Sequence, residues 1–340
     1  MKTVKAWAAL KPHDKLQPFN YELPPMGTEE VEIEIDHCGL CHTDLAFINN
    51  EWGNIPFPLV PGHEIIGRIV ELGEVAQSKG LKLGQTVGVG WNKESCQHCN
   101  PCIEGAHHLC SSLEQTIFGN YGGFAERIRT HWLWAVPVPE GLSRADAGPL
   151  FCAGITVFSP LMEYRIKPTD RVGVFGIGGL GHLALQFYHA WGCDVTAFSS
   201  TPSKYDAIKA LGANHIVSSR NTSEWEALKG QFDLIVITLP VSMDWNKIIA
   251  MLSPKGRLHF VGIVYEPVPL SVVSLLVPQA EISASPGGSR SSLDKMLRFA
   301  AQHKIRPRAE HFPMSKVNEA IAYLETGKPN YRIVLDADFK

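Results

Sequence analysis

The amino-acid sequence predicts an α/β protein in which a doubly wound parallel sheet is inserted into a mostly β domain. Helix-like and strand-like segments alternate between about residues 155 and 286, whereas the earlier residues form short segments separated by Pro and Gly. The alternation stops after about residue 287. A chain of 340 residues is long enough for two domains. We therefore predict one domain at 155–286 and a second one made of 1–154 and 287–340.

The central part alternates strands and helices in a regular order. Strands are predicted at RVGVFG (171–176), DVTAFS, HIVSS, DLIVITL (233–239) and GRLHFVGIV (256–264). Helices are predicted between them, at GGLGHLALQFYHAW, SKYDAIKALG, SEWEALK and WNKIIAMLS. Because crossovers of this length connect parallel strands with a right-handed turn, the pattern indicates a parallel sheet with helices on both faces.

The flanking parts follow other patterns. EVEIEID (30–36) alternates apolar and acidic residues, which predicts a half-buried strand. Beyond residue 287, SLDKMLRFAAQH and SKVNEAIAYLETG predict amphipathic helices, the second with Ser315 as its N-cap and Glu319 one place beyond the usual capping-box position. YRIVLD predicts a last strand, and we expect this tail to return to the first domain.

Composition and charge exclude two classes of partner. The chain has 31 basic and 34 acidic residues, and its net charge of −3 is too small to favour nucleic acid or a membrane surface. No stretch approaches the ~20 apolar residues of a membrane span, and MKTVKAWAALKPHDK lacks the apolar run of a secretory signal. We expect a soluble, cytoplasmic protein that acts on a small molecule.

Four cysteines fall within the segment CQHCNPCIEGAHHLC, residues 96–110. In a reducing compartment, closely spaced cysteines bind metal more often than they form disulfides. Four thiolates fill the tetrahedral shell of zinc and leave no open position, which predicts a structural zinc site. The alternatives are four free thiols or a zinc-finger binding module, although such a module needs a basic surface and this segment contains no Lys or Arg. The predicted ligands are Cys96, Cys99, Cys102 and Cys110.

The segment GIGGLG follows a predicted strand and opens a predicted helix, and it places Gly176, Gly178 and Gly181 in G-x-G-x-x-G register. In this context the first glycine makes a tight turn, the second admits a pyrophosphate, and the third lets helix and strand pack closely. The helix N-terminus offers free N–H groups to the phosphates. The alternative is a plain tight turn. The segment predicts a dinucleotide-binding Rossmann domain, in which Ile177, Gly179 and Leu180 also line the cofactor.

The end of the next strand indicates which dinucleotide binds. An NAD site places Asp or Glu there to hold the ribose hydroxyls, but DVTAFSSTPSK ends in Ser199 and Ser200, with Lys204 close behind. Asp194 begins this strand and so lies at the wrong end of the sheet. Two hydroxyls and an ammonium group suit a 2′-phosphate, which favours NADP(H). The alternative is a solvated polar loop.

Several segments together resemble the zinc-dependent medium-chain alcohol dehydrogenases over essentially the full length: CGLCHTDL, GHEIIGRIVELG, the four-cysteine segment, GIGGLGHLALQ and YRIVLD. GHEIIG, AGITVFSPL and SSTPSK resemble the cinnamyl-alcohol-dehydrogenase branch, and the chain is similar to the bacterial NADPH-dependent aldehyde reductases of that branch. The resemblance implies a GroES-like catalytic domain that carries a Rossmann domain. It also implies two zinc ions per subunit, NADP(H) as cofactor, and a homodimer or homotetramer.

The resemblance also implies roles for individual residues. Cys41, His63 and Cys152 would hold a catalytic zinc, a set of two thiolates and one imidazole that leaves a fourth position open. Taken singly, each of these residues is equally well a buried Cys or a hydrogen-bonded His. The remaining residues implied near the metal or the substrate oxygen are Glu64, Asp44, which would orient His63, and Thr43. The remaining cofactor-binding residues implied are His42, Thr238, Gly262, Ser285, Pro286, Gly287 and Arg332.

The implied reaction is the reversible reduction of an aldehyde to a primary alcohol by NADPH. Trp52, Trp91 and Leu113 are candidates for an apolar substrate pocket, which suits aromatic, cinnamyl-type or medium-chain aliphatic aldehydes. Many relatives carry a proton-relaying His where this sequence has Ala46, so the proton is expected to leave by another route. The alternative is an NAD-linked polyol dehydrogenase of the same fold, against which Ser199 and Ser200 argue.

Overall fold

The computed structural model describes residues 2–339 and divides into two compact units. One unit contains the residues up to Cys152 together with those from Ser289 onward, and the other contains Ala153–Gly288. The junctions therefore follow residues 152 and 288, where the sequence suggested 154 and 286. One unit interrupts the other along the chain.

The part of the first unit that precedes the interruption consists mainly of strands. Its elements are β1 (Lys2–Ala8), β2 (Gln17–Leu23), β3 (Glu30–Leu40), α1 (His42–Ile48), β4 (Ile65–Leu72), α2 (Glu74–Gln77), β5 (Thr86–Val89), β6 (Asn92–Glu94), α3 (Asn100–Ile103), β7 (Glu114–Gln115), β8 (Arg127–His131) and β9 (Val136–Pro137). β1 pairs with β2, and β6 pairs with β7. The loop-rich β pattern of the sequence thus gives short strands connected by turns.

Strand β3 is longer and more deeply buried than its alternating sequence predicts. Glu32 is fully buried instead of facing solvent. Its carboxylate accepts hydrogen bonds from Arg129 Nη2 at 2.9 Å and Arg127 Nη1 at 3.2 Å. Lys2 on β1 also donates to this carboxylate, and the hydrogen bonds from Lys2 and Arg129 lower the pKa of Glu32, which burial alone would raise. An acidic residue in the alternating pattern therefore does not mark the solvent face here.

The second unit has the regular alternation that the sequence predicts. Its elements are α4 (Ala153–Glu163), β10 (Arg171–Phe175), α5 (Gly181–Trp191), β11 (Asp194–Ser199), α6 (Tyr205–Ala210), β12 (His215–Ser218), α7 (Thr222–Trp225), β13 (Phe232–Ile237), α8 (Trp245–Ala250), β14 (Leu252–Phe260), α9 (Val272–Leu276) and β15 (Glu281–Ala284). All six strands are parallel and follow the order β12-β11-β10-β13-β14-β15. This is the doubly wound Rossmann order: β11 and β12 lie on one side of β10, and β13, β14 and β15 lie on the other.

The chain then returns to the first unit through four further elements: α10 (Arg290–His303), β16 (Ala309–Pro313), α11 (Val317–Glu325) and β17 (Arg332–Asp336). β17 pairs antiparallel with β3 and extends the larger sheet, whose order is β16-β17-β3-β4-β5-β9 with β8 also on β3. Ser315 is not the N-cap of α11, as the sequence suggested. Lys316 occupies that position, because a short 3₁₀ turn precedes the helix and the Ser315 N–H donates to Asp338 at 2.9 Å. Within residues 2–339, no helix has the length and apolar character needed to cross a bilayer.

Candidate active site

The start of α1 holds the centre of a buried polar cluster in the first unit. Asp44, in the first turn of this helix, is fully buried. Its carboxylate accepts hydrogen bonds from the backbone N–H of Cys41 and of Gly62, each at 2.9 Å. The same carboxylate lies 3.1 Å from His63 Nδ1. Because a carboxylate only accepts hydrogen bonds, His63 carries its proton on Nδ1, and Asp44 fixes both the tautomer and the direction of Nε2.

Four potential ligand atoms converge on the free side of this histidine. One atom each from Cys41, His63, Glu64 and Cys152 lies within 4.8 Å of the other three. His63 Nε2 is buried and has no hydrogen-bond partner among the described residues. A buried nitrogen without a partner is costly unless something binds it. Two sulfurs and an imidazole nitrogen are the donors that zinc prefers, so these residues fit a zinc ion.

The protonation of the cluster also fits a cation. A hydrogen bond with the Cys152 thiol lowers the pKa of Cys41 well below its usual value, and the same interaction raises the pKa of Cys152. Burial alone would lower the pKa of His63, but Asp44 raises it well above its usual value. The residues that would bind a cation thus hold exchangeable protons. A divalent cation would replace these protons, as metal binding to thiols and imidazoles generally does.

Glu64 reaches the cluster as part of a buried ion pair that sequence reasoning missed. Arg332, which begins β17, donates a hydrogen bond from Nη2 to Glu64 Oε1, and both side chains are buried. The other oxygen, Oε2, has no hydrogen-bond partner in the described structure and lies 2.0 Å from where a Cβ on Gly39 would stand. Gly39 thus leaves room for this carboxylate. Arg332 is anchored to Glu64, and its role at the cofactor phosphates stays a prediction.

The arginine also explains why Glu64 can be charged in this position. Burial raises the pKa of Glu64, and the neighbouring guanidinium opposes that rise. Burial alone would lower the pKa of Arg332, but Glu64 and the thiols of Cys41 and Cys152 raise it above its usual value. The pair therefore keeps a carboxylate beside the cluster that a lone buried glutamate could not maintain.

Aromatic side chains extend outward from the cluster. The Trp91 ring lies 5.4 Å from the His63 ring and 5.6 Å from Phe47, and Phe47 lies 4.9 Å from Trp52. Phe47 was not predicted from the sequence, because one phenylalanine in a helix indicates only a core position. Beyond Trp52, which is 41% exposed, an open cavity of about 780 Å³ begins. Its lining includes Trp52, Leu113 and Phe118 together with Glu114, Gln115 and Asn120.

Three further residues of α1 were singled out in the sequence. Thr43 is partly exposed, and its hydroxyl oxygen lies 3.7 Å from Cys41 Sγ, at the edge of the cluster. His42 is exposed. Ala46 is buried and offers no titratable group. Thr43 is therefore the one of these three with a proton to exchange beside the cluster.

The four-cysteine segment forms a second possible metal centre, in the same unit. One sulfur from each of Cys96, Cys99, Cys102 and Cys110 lies within 4.8 Å of the others. Backbone N–H groups in the loop lower the pKa of Cys96 to about 6, whereas burial raises the pKa of Cys102 to about 12. The segment has only the short helix α3 and a 3₁₀ turn. Four sulfurs fit a closed zinc site that would stabilise this loop.

In the second unit, the three predicted glycines have three different environments. Gly176 has φ +90°, which other residues rarely adopt, and a Cβ on Gly181 would lie 1.9 Å from the Gly176 carbonyl oxygen. A Cβ on Gly178 would instead meet nothing within 4 Å. Gly181 thus allows the start of α5 to approach the turn, while Gly178 leaves open space beside it. The site fits a dinucleotide whose pyrophosphate approaches this backbone.

Other predicted cofactor residues follow the carboxyl ends of neighbouring strands. The Thr238 hydroxyl, after β13, lies 2.7 Å from the Gly176 carbonyl oxygen. A Cβ on Gly262, after β14, would lie 2.8 Å from the Leu239 carbonyl oxygen. Ser285 follows β15, and its hydroxyl lies 3.1 Å from Nε2 of the buried His259. Pro286 and Gly287 come next, and Gly287 has φ +118°.

The predicted NADP(H)-binding residues at the end of β11 differ in their exposure to solvent. Ser199 is buried, and its hydroxyl accepts a hydrogen bond from the Thr201 N–H at 3.3 Å. Ser200 and Lys204 are exposed. Ser200 and Lys204 thus lie at the surface, while Ser199 shapes the turn.

Known proteins resemble this chain over its whole length. A family model of the alcohol dehydrogenase GroES-like domain matches residues 27–140, and a zinc-binding dehydrogenase model matches residues 179–302. An aldehyde reductase, AdhA, of Synechocystis is 49% identical, with 98% of each chain covered. A probable cinnamyl alcohol dehydrogenase of Arabidopsis thaliana is 36% identical, with 97% of this chain and 93% of the relative covered.

Solved structures agree with these relatives. A cinnamyl alcohol dehydrogenase from Sorghum bicolor superposes with a TM-score of 0.93 at 35% identity, covering 98% of both chains. The cinnamyl alcohol dehydrogenase of Helicobacter pylori, solved with NADP(H), has a TM-score of 0.89 at 28% identity, also covering 98% of both. The predicted α/β fold class, a Rossmann sheet within a GroES-like domain, is confirmed. The chain therefore belongs to the zinc-binding medium-chain alcohol dehydrogenase family.

Proposed function

We propose that this protein is a zinc-dependent, NADP(H)-linked alcohol dehydrogenase that interconverts primary alcohols and aldehydes. The observation that carries this proposal is the buried convergence of Cys41, His63 and Cys152, with His63 Nε2 unpaired and directed by Asp44. The names of the relatives, an aldehyde reductase and several cinnamyl alcohol dehydrogenases, support the same activity. We place its action in the cytoplasm, because the two proposed zinc sites need reduced thiols.

The proposed mechanism assigns distinct tasks to residues of the first unit. A zinc ion held by Cys41, His63 and Cys152 would supply a Lewis acid for the oxygen of the aldehyde or alcohol. Thr43, beside Cys41, donates a proton to this oxygen during reduction and accepts one during oxidation. Asp44 keeps His63 in one tautomer throughout. Because Ala46 has no titratable group, the Thr43 proton is exchanged with water instead of a histidine at that position.

The second unit holds the proposed cofactor, and NADPH would supply the hydride. Gly178 leaves space for the pyrophosphate beside the N-terminus of α5, where the helix dipole favours an anion. Ser200 and Lys204 would bind the 2′-phosphate, since both are exposed at the tip of β11. No carboxylate occurs between residues 199 and 204 to repel that phosphate or to hold NAD.

The aromatic side chains near the cluster support an apolar substrate. Trp91 would pack against the hydrocarbon part of an aldehyde whose oxygen lies at the cluster, and the fully buried Phe47 supports the Trp91 ring from behind. Trp52 and Leu113 continue this surface into the open cavity. Aromatic, cinnamyl-type and medium-chain aliphatic aldehydes all match such a surface, because each buries an apolar group next to one polar atom.

A screen of NADPH oxidation tests the proposal. The protein is given benzaldehyde, cinnamaldehyde and a series of straight-chain aldehydes, with NADH in parallel, and its zinc content is measured. We expect turnover with NADPH, about two zinc ions per chain, and a marked loss of turnover in Thr43→Ala with unchanged zinc. Thr130→Ala is the matched control, since the hydroxyl of that threonine, on β8, donates to the backbone carbonyl of Lys93 on β6.

Two results would overturn parts of the proposal. Oxidation of mannitol with NAD⁺ and no aldehyde reduction would favour a polyol dehydrogenase, and one relative is named a probable mannitol dehydrogenase at 35% identity. Turnover of Thr43→Ala equal to that of the wild type would remove Thr43 from the mechanism. A clear preference for NADH would refute the assignment of Ser200 and Lys204.

We also propose that the protein forms a homodimer through the second unit. β15 is an edge strand, and the adjoining segment exposes Val272, Val273, Leu276 and Val277, each at least 67% accessible. An apolar face beside an open sheet edge suits a second copy of the same chain, because two edges can pair about a twofold axis. Light scattering should give a dimer for the wild type and a monomer for Val273→Asp. A tetramer would show that a second surface takes part, and a wild-type monomer would refute the proposal.

A further inference from the structure

Three titratable side chains meet on one face of the larger sheet, and none of them belongs to the proposed active site. His37 lies on β3, Asp336 on β17 and His311 on β16, which are neighbouring strands. His37 and Asp336 are directly paired, and His311 pairs with Val334, two residues before Asp336. Because side chains alternate between the faces of a sheet, this register places all three on the same face.

The three side chains are close enough to share one ion. Asp336 Oδ1 lies 2.7 Å from His37 Nδ1 and 2.9 Å from His311 Nδ1. These three atoms all lie within 4.8 Å of one another. The side chains of His37, His311 and Asp336 are 23%, 32% and 41% exposed, so an ion from solution can reach them.

We propose that this cluster is a further metal site, which binds a divalent transition-metal ion such as Zn²⁺. His37 Nδ1, His311 Nδ1 and Asp336 Oδ1 are the ligands, and water completes the coordination. Two imidazoles and one carboxylate are a donor set that zinc accepts, with bonds of about 2.0–2.2 Å. The ligand atoms need to open only slightly from their present hydrogen bonds to admit the ion.

A fourth residue, Asp146, contacts the ring nitrogen of His311 that faces away from the cluster. His311 Nε2 lies 3.1 Å from Asp146 Oδ1, on the side of the ring opposite Asp336. Histidines that bind metal usually donate their other N–H to a carboxylate, which fixes the ring and leaves the remaining nitrogen free to coordinate. Asp146 does this for His311. An ordinary surface His–Asp pair, such as His215 with Asp194, has only one such contact.

Protons compete with the metal at this site. Without metal, both ring nitrogens of His311 lie beside carboxylates, Nδ1 at 2.9 Å from Asp336 and Nε2 at 3.1 Å from Asp146. A bound ion takes the place of the proton between Nδ1 and Asp336, while Asp146 keeps a proton on Nε2. Because the ligands come from β3, β16 and β17, the bound ion also ties the returning chain to β3.

Zinc binding by the full-length, untagged protein tests the proposal. Wild type, His311→Gln, Asp336→Asn and the matched control His215→Gln are dialysed against buffered Zn²⁺ at pH 8, and bound zinc is measured by elemental analysis. We expect wild type and the control to bind one more zinc per chain than the other two variants. Zinc should also raise the Tm of wild type and control more than that of His311→Gln and Asp336→Asn.

Each outcome decides the question. Equal zinc content and equal Tm responses in all four proteins would overturn the proposal, because the cluster would then be a hydrogen-bonded network only. A loss confined to His311→Gln with full binding in Asp336→Asn would also overturn it as stated. The readout is a difference between variants, so it does not depend on activity or on the fate of the cysteine sites. If one variant fails to fold, the other still decides.

Discussion

Replacing Asp44 by Asn should weaken zinc binding at the proposed active site more than it weakens the fold. Asp44 uses both carboxylate oxygens: Oδ2 accepts from the Cys41 N–H at 2.9 Å, and Oδ1 accepts from the Gly62 N–H and His63 Nδ1 at 2.9 and 3.1 Å. An asparagine has only one oxygen. Its NH₂ group must therefore face at least one of these donors.

The size of the effect follows from this hydrogen-bond inventory. One buried donor left without an acceptor costs about 1–3 kcal/mol. If the asparagine oxygen stays on the Gly62 side, the Cys41 N–H loses its acceptor and the loop holding that thiol loosens. If it turns to Cys41, His63 loses the partner that fixes its tautomer. Losing a carboxylate partner of a metal-binding histidine typically lowers metal affinity by about 10–100-fold.

The assay is a competition for zinc between the protein and a chromophoric chelator. Asp44→Asn should release one zinc per chain at about 10–100-fold lower chelator concentration than wild type, while the zinc of the four-cysteine segment is retained as an internal reference. Asp206→Asn, an exposed aspartate on α6, is the matched control. Release curves that coincide for wild type and Asp44→Asn would refute the reasoning, since Asp44 would then not position His63 for metal.

Five further substitutions, in three experiments, test other parts of the molecule. Gly181→Ala should lower the unfolding free energy by about 1–3 kcal/mol, because the new Cβ would lie 1.9 Å from a backbone oxygen. Gly178→Ala should keep the wild-type Tm, because its Cβ would meet nothing within 4 Å, and should raise the KM for NADPH. Ser200→Asp should raise the KM for NADPH about tenfold, which corresponds to about 1.4 kcal/mol of repulsion between the new carboxylate and the 2′-phosphate. The KM for NADH should change little. Equal effects on both cofactors would contradict the 2′-phosphate assignment. Arg332→Met should cost about 3–5 kcal/mol in chemical denaturation by leaving Glu64 buried without its partner, and adding Glu64→Gln should restore part of that loss.

The parallel sheet could be predicted well because its signals are local. Most strands of the second unit are short apolar runs between turn residues, and most predicted bounds agree with the structure within one or two residues. β15, with the mostly exposed sequence EISA, was not predicted. The strand predicted at 256–264 spans Leu252–Phe260. Ser253, Lys255 and Gly256 obscured its start, because polar residues and a glycine suggest a turn. A bulge in the pairing of β13 with β14 accommodates them.

Partners from distant parts of the chain could not be predicted in the same way. Glu32 appeared to face solvent, since its burial depends on Lys2 of β1 and on Arg127 and Arg129 of β8. Arg332 was expected at the cofactor phosphates, and nothing near it in sequence indicates that Glu64 receives its guanidinium. In both cases a buried carboxylate is stable only because a strand far along the chain supplies a cation, and residue patterns do not record that pairing.

The proposed metal sites differ in how far apart their ligands lie along the sequence, and this distance determines whether a sequence can predict them. The four-cysteine site lies within residues 96–110, so its spacing alone predicted a metal. The ligands Cys41, His63 and Cys152 are spread over three segments, and only the resemblance to a family joined them before the fold brought them within 4.8 Å. The His–Asp cluster proposed as a further site has its ligands about 300 residues apart, between β3 and β17, and no family pattern marks them. Such a site becomes visible only when strand register is known, because pairing across a sheet is what places the ligands on one face.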